Sequence, residues 1–412
     1  MSDQIRSSCP RLGILTTHPI HYQVPLFRAL HQDKRIELTV LYASMHGAVS
    51  GHEPGFGIEV KWDVPLLDGY AWKLVKNAAR RPSVITFNGT HLPQLQDELR
   101  KLEADALLIP GWGRRCYLEA MYAARRLRLP LLMRGEARLM PTQSPWKRLA
   151  KRLLIRPLIK RTAAALPIGT CNREFYHWCG LSDARLFDAL YYVNNEFFIA
   201  AGKEHRPERE SLRKAWGIPP DSTVFLFAGK LSGKKRPLDL LTALATLNDR
   251  KSVQHRGAHV LIAGDGPLRK QCESFAQTHK LPVSFAGFLN QTELTRAYVA
   301  SDCLVLPSDY RETWGLVVNE AMASGCTAVV SDQVGCVPDL ITEAETGYAF
   351  PCGDTETLAD KLASVAGDRE HLACLKQNAF QRVQYFSIEQ AADGVVAATR
   401  YVAGGRTAGS VQ

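Results

Sequence analysis

The sequence predicts an α/β protein built from two tandem Rossmann-like, doubly wound domains. Three observations carry this. The chain has 412 residues, enough for two domains with full cores. Short apolar runs alternate with helix-length amphipathic stretches along its whole length, as parallel βαβ units require. Each half also repeats that alternation with its own set of strands.

In the first half LGILT (12–16), ELTVLY (37–42), ALLIP (106–110), PLLMR (130–134) and ALPIG (165–169) predict strands, with helices near 22–31, 93–103, 117–128 and 145–162. Residues 44–90 are less regular: Gly47, Gly51, Gly55 and Gly57 precede the aromatics Trp62, Tyr70 and Trp72, and no element is assigned there. In the second half TVFLFAG (223–229), AHVLIAG (258–264), PVSFAG (282–287), CLVLP (303–307) and TAVVS (327–331) repeat the pattern, each followed by a helix. Apolar periodicity stops in the polar AAGKEHRPERE after 194–198. The expected domains are therefore 1–198 and 199–385, with 386–412 a C-terminal helix packing back on the first domain before a flexible tail.

A hydrophobic content of 46% argues against disorder, and 30 Gly and 22 Pro are ordinary for this length, against a collagen-like or low-complexity chain. Ten cysteines lie at wide spacings without a C-x-x-C or a zinc-type Cys/His pairing, and most are expected to be small buried hydrophobes. The start, MSDQIRSSCPRLGIL, lacks a signal peptide's apolar core, and no run of 18 apolar residues occurs. The expected compartment is the reducing cytoplasm.

The net charge of +10 is local. Residues 1–200 hold 28 Lys and Arg against 17 Asp and Glu, and 114–161 alone hold 14 basic residues against Glu119 and Glu136. Nucleic acid, an anionic membrane and a phosphorylated substrate would each call for such a cluster. From Trp146 to Arg156 the helical wheel sets Lys147, Arg148, Lys151, Arg152 and Arg156 against Trp146, Leu149, Ala150, Leu153 and Leu154, and Pro157 resets the phase. Such a helix either lies on an anionic membrane, Lys147, Arg148, Lys151 and Arg152 facing it, or packs its apolar side on its own sheet.

In open α/β sheets ligands bind at the strand ends. After the strand ending at Gly229 come Lys230, Lys234, Lys235 and Arg236 before Pro237, cations at a helix start that require solvent or an anion. Gly264-Asp265-Gly266-Pro267 forms a tight turn after the next strand. After the strand ending at Pro307, Glu312 and Glu320 flank Thr-Trp-Gly-Leu-Val-Val-Asn, with a helix starting near Gly315 and stopping near Gly325. Both carboxylates are reachable from one pocket, and a carboxylate accepts two hydrogen bonds from vicinal hydroxyls such as those of a sugar or ribose.

These pieces, FAGKLSGKKRPLDLL, LIAGDGPL, VSFAGFLNQTEL, ASDCLVLPSDYRETWGLVVNEAMASG and GYAFPCGD, resemble the donor-binding domain of retaining glycosyltransferases of family 4, which have the GT-B fold. The first half resembles the family more loosely through THPIHYQVPLFRAL, WDVPLLDGY and PIGTCNREFY. The resemblance implies a nucleotide-diphosphate sugar donor in the second domain, a saccharide or lipid-linked acceptor on the first, a cleft between them, and retention of configuration. It gives Lys235 and Lys230 to the diphosphate, with Lys230 where the family usually has arginine. Glu312 would face the transferred sugar, and Gly229 and the backbone of Thr313, Trp314, Gly315 and Leu316 would line the donor site. Glu320 would hold the ribose, and Phe288 and Leu289 would border the base. No metal or other cofactor is expected. Where many relatives have a histidine after the fourth strand, Arg134-Gly135-Glu136 stands here. His18, His21, Arg134 and Glu136 form the expected acceptor- or sugar-facing set, each with a loop-structural alternative. Envelope polysaccharide or glycolipid synthesis, at the inner membrane face, is the setting the family implies. A nucleotide-sugar epimerase of the same architecture and a basic nucleic-acid-binding protein are the competing readings; the latter lacks recognition signatures, so no nucleic acid partner is expected.

Overall fold

The computed structural model describes residues 9–48, 51–53, 58–60, 65–140, 144–250 and 257–409. Its frame is a pair of six-stranded parallel sheets. The first contains β1 (Arg11–Thr16) and β2 (Glu37–Tyr42); a short antiparallel pair, β3 (Gly51–Glu53) and β4 (Ile58–Val60), stands apart from it. β5 (Trp72–Leu74), β6 (Ala106–Ile109), β7 (Leu131–Met133) and β8 (Ala164–Ala165) complete the sheet in the order β5-β2-β1-β6-β7-β8. The second contains β9 (Thr223–Ala228), β10 (Ala258–Ala263), β11 (Val283–Gly287), β12 (Cys303–Leu306), β13 (Thr327–Ser331) and β14 (Gly347–Phe350), in the order β11-β10-β9-β12-β13-β14. Both orders reverse direction beside their first strand, the doubly wound arrangement.

The central strands are buried on both faces, which is why they read as unbroken apolar runs. Two strands of the six-stranded sheets escape the sequence reading. β5 is an exposed edge strand of three residues, and β14, GYAF, is short and follows a loop without helical patterning. ALPIG forms only the two-residue β8, because Pro167 offers no N–H to a ladder. Within 44–90, Tyr70 is buried and its hydroxyl, 2.7 Å from that of Tyr42, donates to the Leu66 carbonyl at 2.6 Å.

Contacts divide the chain into two units, one running to Leu190 and resuming at Ile388, the other spanning Tyr191–Ser387. The division thus lies eight residues before 198/199. The polar run after 194 is the helix Asn195–His205, its start capped by the Asn194 side chain accepting from Phe197 N at 3.1 Å. The Asn195 amide donates to the Val383 and Phe386 carbonyls, both at 3.2 Å, and Phe198 is buried against Tyr298. Tertiary contacts therefore claim a segment whose polarity alone reads as a linker. The last helix, Ile388–Gly409, clusters with the first unit, where Asp393 pairs with Arg35 and Tyr401 meets the Phe187 ring at 5.2 Å. Six of the ten cysteines are buried, and all are free thiols.

Candidate active site

In the second unit the sheet reverses between β9 and β12, so the loops leaving these strands diverge and open a crevice at their C-terminal ends. The loop after β9 begins at Gly229, folds back so that the Lys235 stem lies over Gly229, and ends at Arg236, whose left-handed conformation (φ 49°) admits Pro237 as the first residue of the helix Pro237–Asp249. Asp309 N donates to the Lys234 carbonyl at 3.0 Å, tying this loop to the one after β12. That tie brings the lysines to Glu312.

Glu312 is 9% exposed, and its Oε2 lies 2.6 Å from Lys235 Nζ and 3.3 Å from Lys234 Nζ. Burial pushes this carboxyl up, but the two ammonium groups outweigh it and hold it below the ordinary carboxylate range. It is thus an anion held by cations, available to accept hydrogen bonds. Gly315, with φ 98°, starts the helix Leu316–Ala323 in a conformation that favours glycine, and a Cβ there would lie 2.8 Å from Leu306 Cδ2. Thr313 is half-buried beside this turn.

Glu320 lies in the second turn of that helix, and its Oε2 accepts from the Tyr298 hydroxyl at 2.7 Å. Burial pushes its carboxyl up to about 7, against the pull of the Tyr298 bond and of the Lys235 charge. Lys235 therefore acts on both acids, which places Glu312 and Glu320 in one electrostatic site. Gly264, at the end of β10, brings a third loop against it; a Cβ there would lie 1.9 Å from the Gly229 carbonyl oxygen, so only glycine fits. Lys230, half-buried after Gly229, and Phe288 and Leu289, half-buried just beyond β11, flank the same strand ends.

The Trp314 side chain turns into the core. Its ring is buried against Tyr191 (5.8 Å) and Phe386 (5.9 Å), and its Nε1 donates to Asn319 Oδ1 at 2.8 Å. Only its backbone can face a ligand. Lys234, beside Glu312, and Tyr298, bonded to Glu320, are neighbours of the two acids that the sequence reading assigns no individual role. A repeated Lys-Lys before Pro237 hints at the first, but a tyrosine on a partly apolar helix carries no signal for the second.

In the first unit His18 follows β1, its ring 5.6 Å from that of His46, its Nδ1 2.9 Å from Thr17 Oγ1. Burial, with the His46 and Arg114 charges, pushes it down to about 4, so it is neutral at pH 7. His21 packs edge-on to Tyr22. Arg134 is half-buried, and its Nη2 donates to the Ala189 and Leu190 carbonyls at 3.1 and 3.4 Å, so its guanidinium braces that backbone. Glu136 is exposed. His46 and Arg114 were not singled out by the sequence pattern.

The helix at 145 corrects the wheel. It runs Pro145–Ala150, widens to a π-turn over Lys151–Ile155 and continues Arg156–Lys160 through Pro157. The π-turn suits a helix whose Pro157 has no N–H to return to the preceding turn. It also shifts the phase: Ile155 packs on the core and Lys151 is half-buried, its ammonium pushed down by burial. Trp146, Leu149, Leu153 and Leu154 are exposed, at 79%, 44%, 63% and 66%, beside exposed Arg148 and Arg152. The apolar side does not pack on its own sheet. Lys147 lies on the first helical segment, and its side chain is outside the described residues.

Two doubly wound sheets in tandem, the second with paired acids and lysines at its switch point, define the GT-B class of fold. Residues 208–382 match the family described as glycosyl transferases group 1. It is 35% identical over 196 residues to a D-inositol 3-phosphate glycosyltransferase of Saccharomonospora viridis, covering 46% of this chain and 45% of that protein. It is 36% identical over 156 residues to a sulfoquinovosyl transferase of Arabidopsis thaliana, covering 37% of this chain and 28% of that protein. These alignments span less than half the length of the curated relatives they match. Among solved structures, Anabaena HepE in complex with UDP superposes with a TM-score of 0.69 at 16% identity, over 94% of this chain and 98% of that one. A Rickettsia africae glycosyltransferase superposes with a TM-score of 0.68 at 14% identity, over 96% and 98%. At these identities the structures share the fold.

Proposed function

We propose that the protein is a retaining glycosyltransferase that moves a sugar from a nucleotide-diphosphate sugar to a hydroxyl of a saccharide or lipid-linked acceptor, in envelope polysaccharide or glycolipid synthesis. The observation that carries this is Lys235 acting on both Glu312 and Glu320 at the switch point of the second sheet. Glu320 suits the ribose diol, Glu312 the sugar hydroxyls, and Lys230, Lys234 and Lys235 the diphosphate. In the reaction the acceptor oxygen forms its bond to the anomeric carbon on the face the diphosphate leaves. The breaking C–O bond gives its electrons to the diphosphate oxygen, which takes the acceptor's proton. Fixed cations beside that oxygen stabilise the transition state more than the ground state. The UDP in the HepE complex and the names of the curated relatives, a D-inositol 3-phosphate glycosyltransferase and a sulfoquinovosyl transferase, support a nucleotide-sugar donor.

A panel of nucleotide sugars tested by thermal shift checks the reading. At least one should stabilise the wild type and fail to stabilise Glu320→Ala and Lys235→Ala; a panel without any shift, or equal shifts in the variants, refutes it. The raised Glu320 adds a pH signature. Below about pH 7 its carboxyl is protonated and loses acceptor capacity, and above it the carboxylate accepts both ribose hydroxyls. Relative to Glu320→Gln, wild-type affinity for the stabilising nucleotide should therefore rise between pH 6 and 8 and then level off. Parallel pH profiles for the two proteins, by isothermal titration calorimetry, would contradict the role.

We further propose that the exposed side of the helix from Pro145 meets an anionic membrane surface as a peripheral contact. Trp146, Leu149, Leu153 and Leu154 would enter the interface, and Arg148 and Arg152 would meet the headgroups, each basic residue contributing about 1 kcal/mol there. Among the described residues no helix is long and apolar enough to cross a membrane. Sedimentation with phosphatidylglycerol vesicles should be lost in Arg148→Glu/Arg152→Glu and weakened in Trp146→Ala; unchanged partitioning would end the idea.

A further inference from the structure

At the opposite end of the second sheet, where β12 begins and the helix Leu316–Ala323 ends, a cavity of about 280 Å³ is lined by Arg206, Arg209, Tyr298, Asp302, Ser324 and Lys376, with three further residues. Asp302 is its single acid, and that carboxylate is already saturated. Its Oδ1 accepts from Arg209 Nη2 (2.7 Å) and Lys376 Nζ (3.2 Å), and its Oδ2 from Arg213 Nη2 (2.8 Å) and Val224 N (3.0 Å). The Arg206 side chain makes no ion pair or hydrogen bond among the described residues, and its Nη2 lies by Gly325. The lining therefore holds three cations against one acid. A helix C-terminus attracts cations, but it carries only about half a negative charge, too little to balance this excess.

A second observation is independent of charge. Ser324 is 5% exposed, yet its hydroxyl has no hydrogen-bond partner among the described residues. A buried hydroxyl left unpaired is costly and marks a place for a ligand or water. A larger cavity, about 600 Å³, shares Arg206, Ser324, Gly325 and Lys376 with the first and runs on past Ile199, Ala373 and Phe380. The cations and the unpaired hydroxyl thus stand at the junction of a polar pocket and an apolar arm.

We propose that this junction is a second ligand site, separate from the donor crevice, for a small phosphomonoester. Arg206, Lys376 and the Ser324 hydroxyl hold the phosphate dianion, and the apolar arm takes the organic body. Charge-assisted bonds from a guanidinium fork and an ammonium suit three phosphate oxygens. The site is also physically tied to Glu320: Tyr298 lines the cavity and bonds the Glu320 carboxylate, and Ser324 N donates to the Glu320 carbonyl at 3.0 Å. The inference rests on these contacts and stands whether or not the transferase reading holds.

Calorimetric titration of the full chain with inorganic phosphate and with glycerol 3-phosphate, at constant ionic strength, tests it. Both should bind the wild type, glycerol 3-phosphate more tightly. Arg206→Glu should weaken both by about tenfold or more and Ser324→Ala by about threefold, while Lys235→Ala leaves them unchanged. Arg206 has no partner to lose, so its variant should melt like the wild type; Arg206→Gln, with a smaller loss, serves if it does not. No binding at concentrations on the order of 10 mM overturns the site, as does weakening by Lys235→Ala in place of Arg206→Glu, which would put the anion in the donor crevice. Equal affinity for the two probes overturns the phosphomonoester assignment in favour of phosphate itself.

Discussion

Lys235→Ala is expected to lower turnover by about 10²–10³ while leaving the fold intact, because it removes a fixed cation from the oxygen on which leaving-group charge develops. Three features make this the largest kinetic effect at the site. Lys235 is the nearer of the two ammoniums on Glu312, 2.6 Å against 3.3 Å for Lys234. Its side chain is 16% exposed, so solvent screens it little. It also acts on Glu320, so its loss lets both carboxyls titrate at higher pH. The loss should fall mainly on kcat, since the interaction strengthens as the diphosphate departs. Lys235→Arg, which keeps the charge but not the compact ammonium, should recover part of it. The measurement is release of nucleoside diphosphate from the nucleotide sugar that stabilises the protein. A kcat within threefold of wild type, with normal melting, would remove Lys235 from the chemistry.

Asp302→Asn is expected to cost about 3–5 kcal/mol of stability in the second unit, the range for removing one partner of a buried ion pair. The carboxylate joins Arg209, Arg213 and Lys376 and also accepts from Val224 N, pinning β9 and β12 to the helices that carry those cations. An amide keeps the shape but leaves the Arg213 guanidinium, 9% exposed, facing Arg209 without a counter-charge. Burial pushes the Asp302 carboxyl up, but Lys376, Arg209 and Arg213 together hold it below its ordinary 3.8. Its contribution is therefore fully present above that ordinary value and fades as pH falls through the lowered one. In urea unfolding followed on the second unit, the gap between wild type and Asp302→Asn should be constant from pH 6 to 8 and narrow below about pH 4. A variant as stable as wild type at pH 7 would mean that the carbonyls around Arg213 suffice to hold it.

Much of this was legible without coordinates where a local rule governs. The strands buried on both faces announce themselves as apolar runs because no alternation is imposed on them. Gly315 announces the start of its helix, because an αL turn wedged against Leu306 admits no side chain. Glu312 and Glu320 stand out because their spacing straddles that turn. The domain limit at 198 misplaces Asn195 and Phe198, whose partners Val383, Phe386 and Tyr298 lie 100 or more residues away. The Ala189 and Leu190 carbonyls that Arg134 bonds lie 55 and 56 residues away along the chain, and no local pattern announces them.

The sequence by itself determined the two doubly wound sheets, the lysine- and glutamate-bearing loops at the strand ends of the second, and the location of the excess charge at 114–161. These follow from periodicity, turn chemistry and composition, which act over a few residues. Tertiary structure alone decided that Lys235 pairs with Glu312, that Trp314 turns into the core, that Ser324 is left unpaired among arginines, and which side of the basic helix is open. Trp146 and Leu149 are already open before the π-turn Lys151–Ile155, and within it the side chains shift around the axis, so that Leu153 and Leu154 face outward while Lys151 is half-buried. A regular wheel cannot register such a shift, since it depends on what the rest of the unit packs against Ile155 and Ile159.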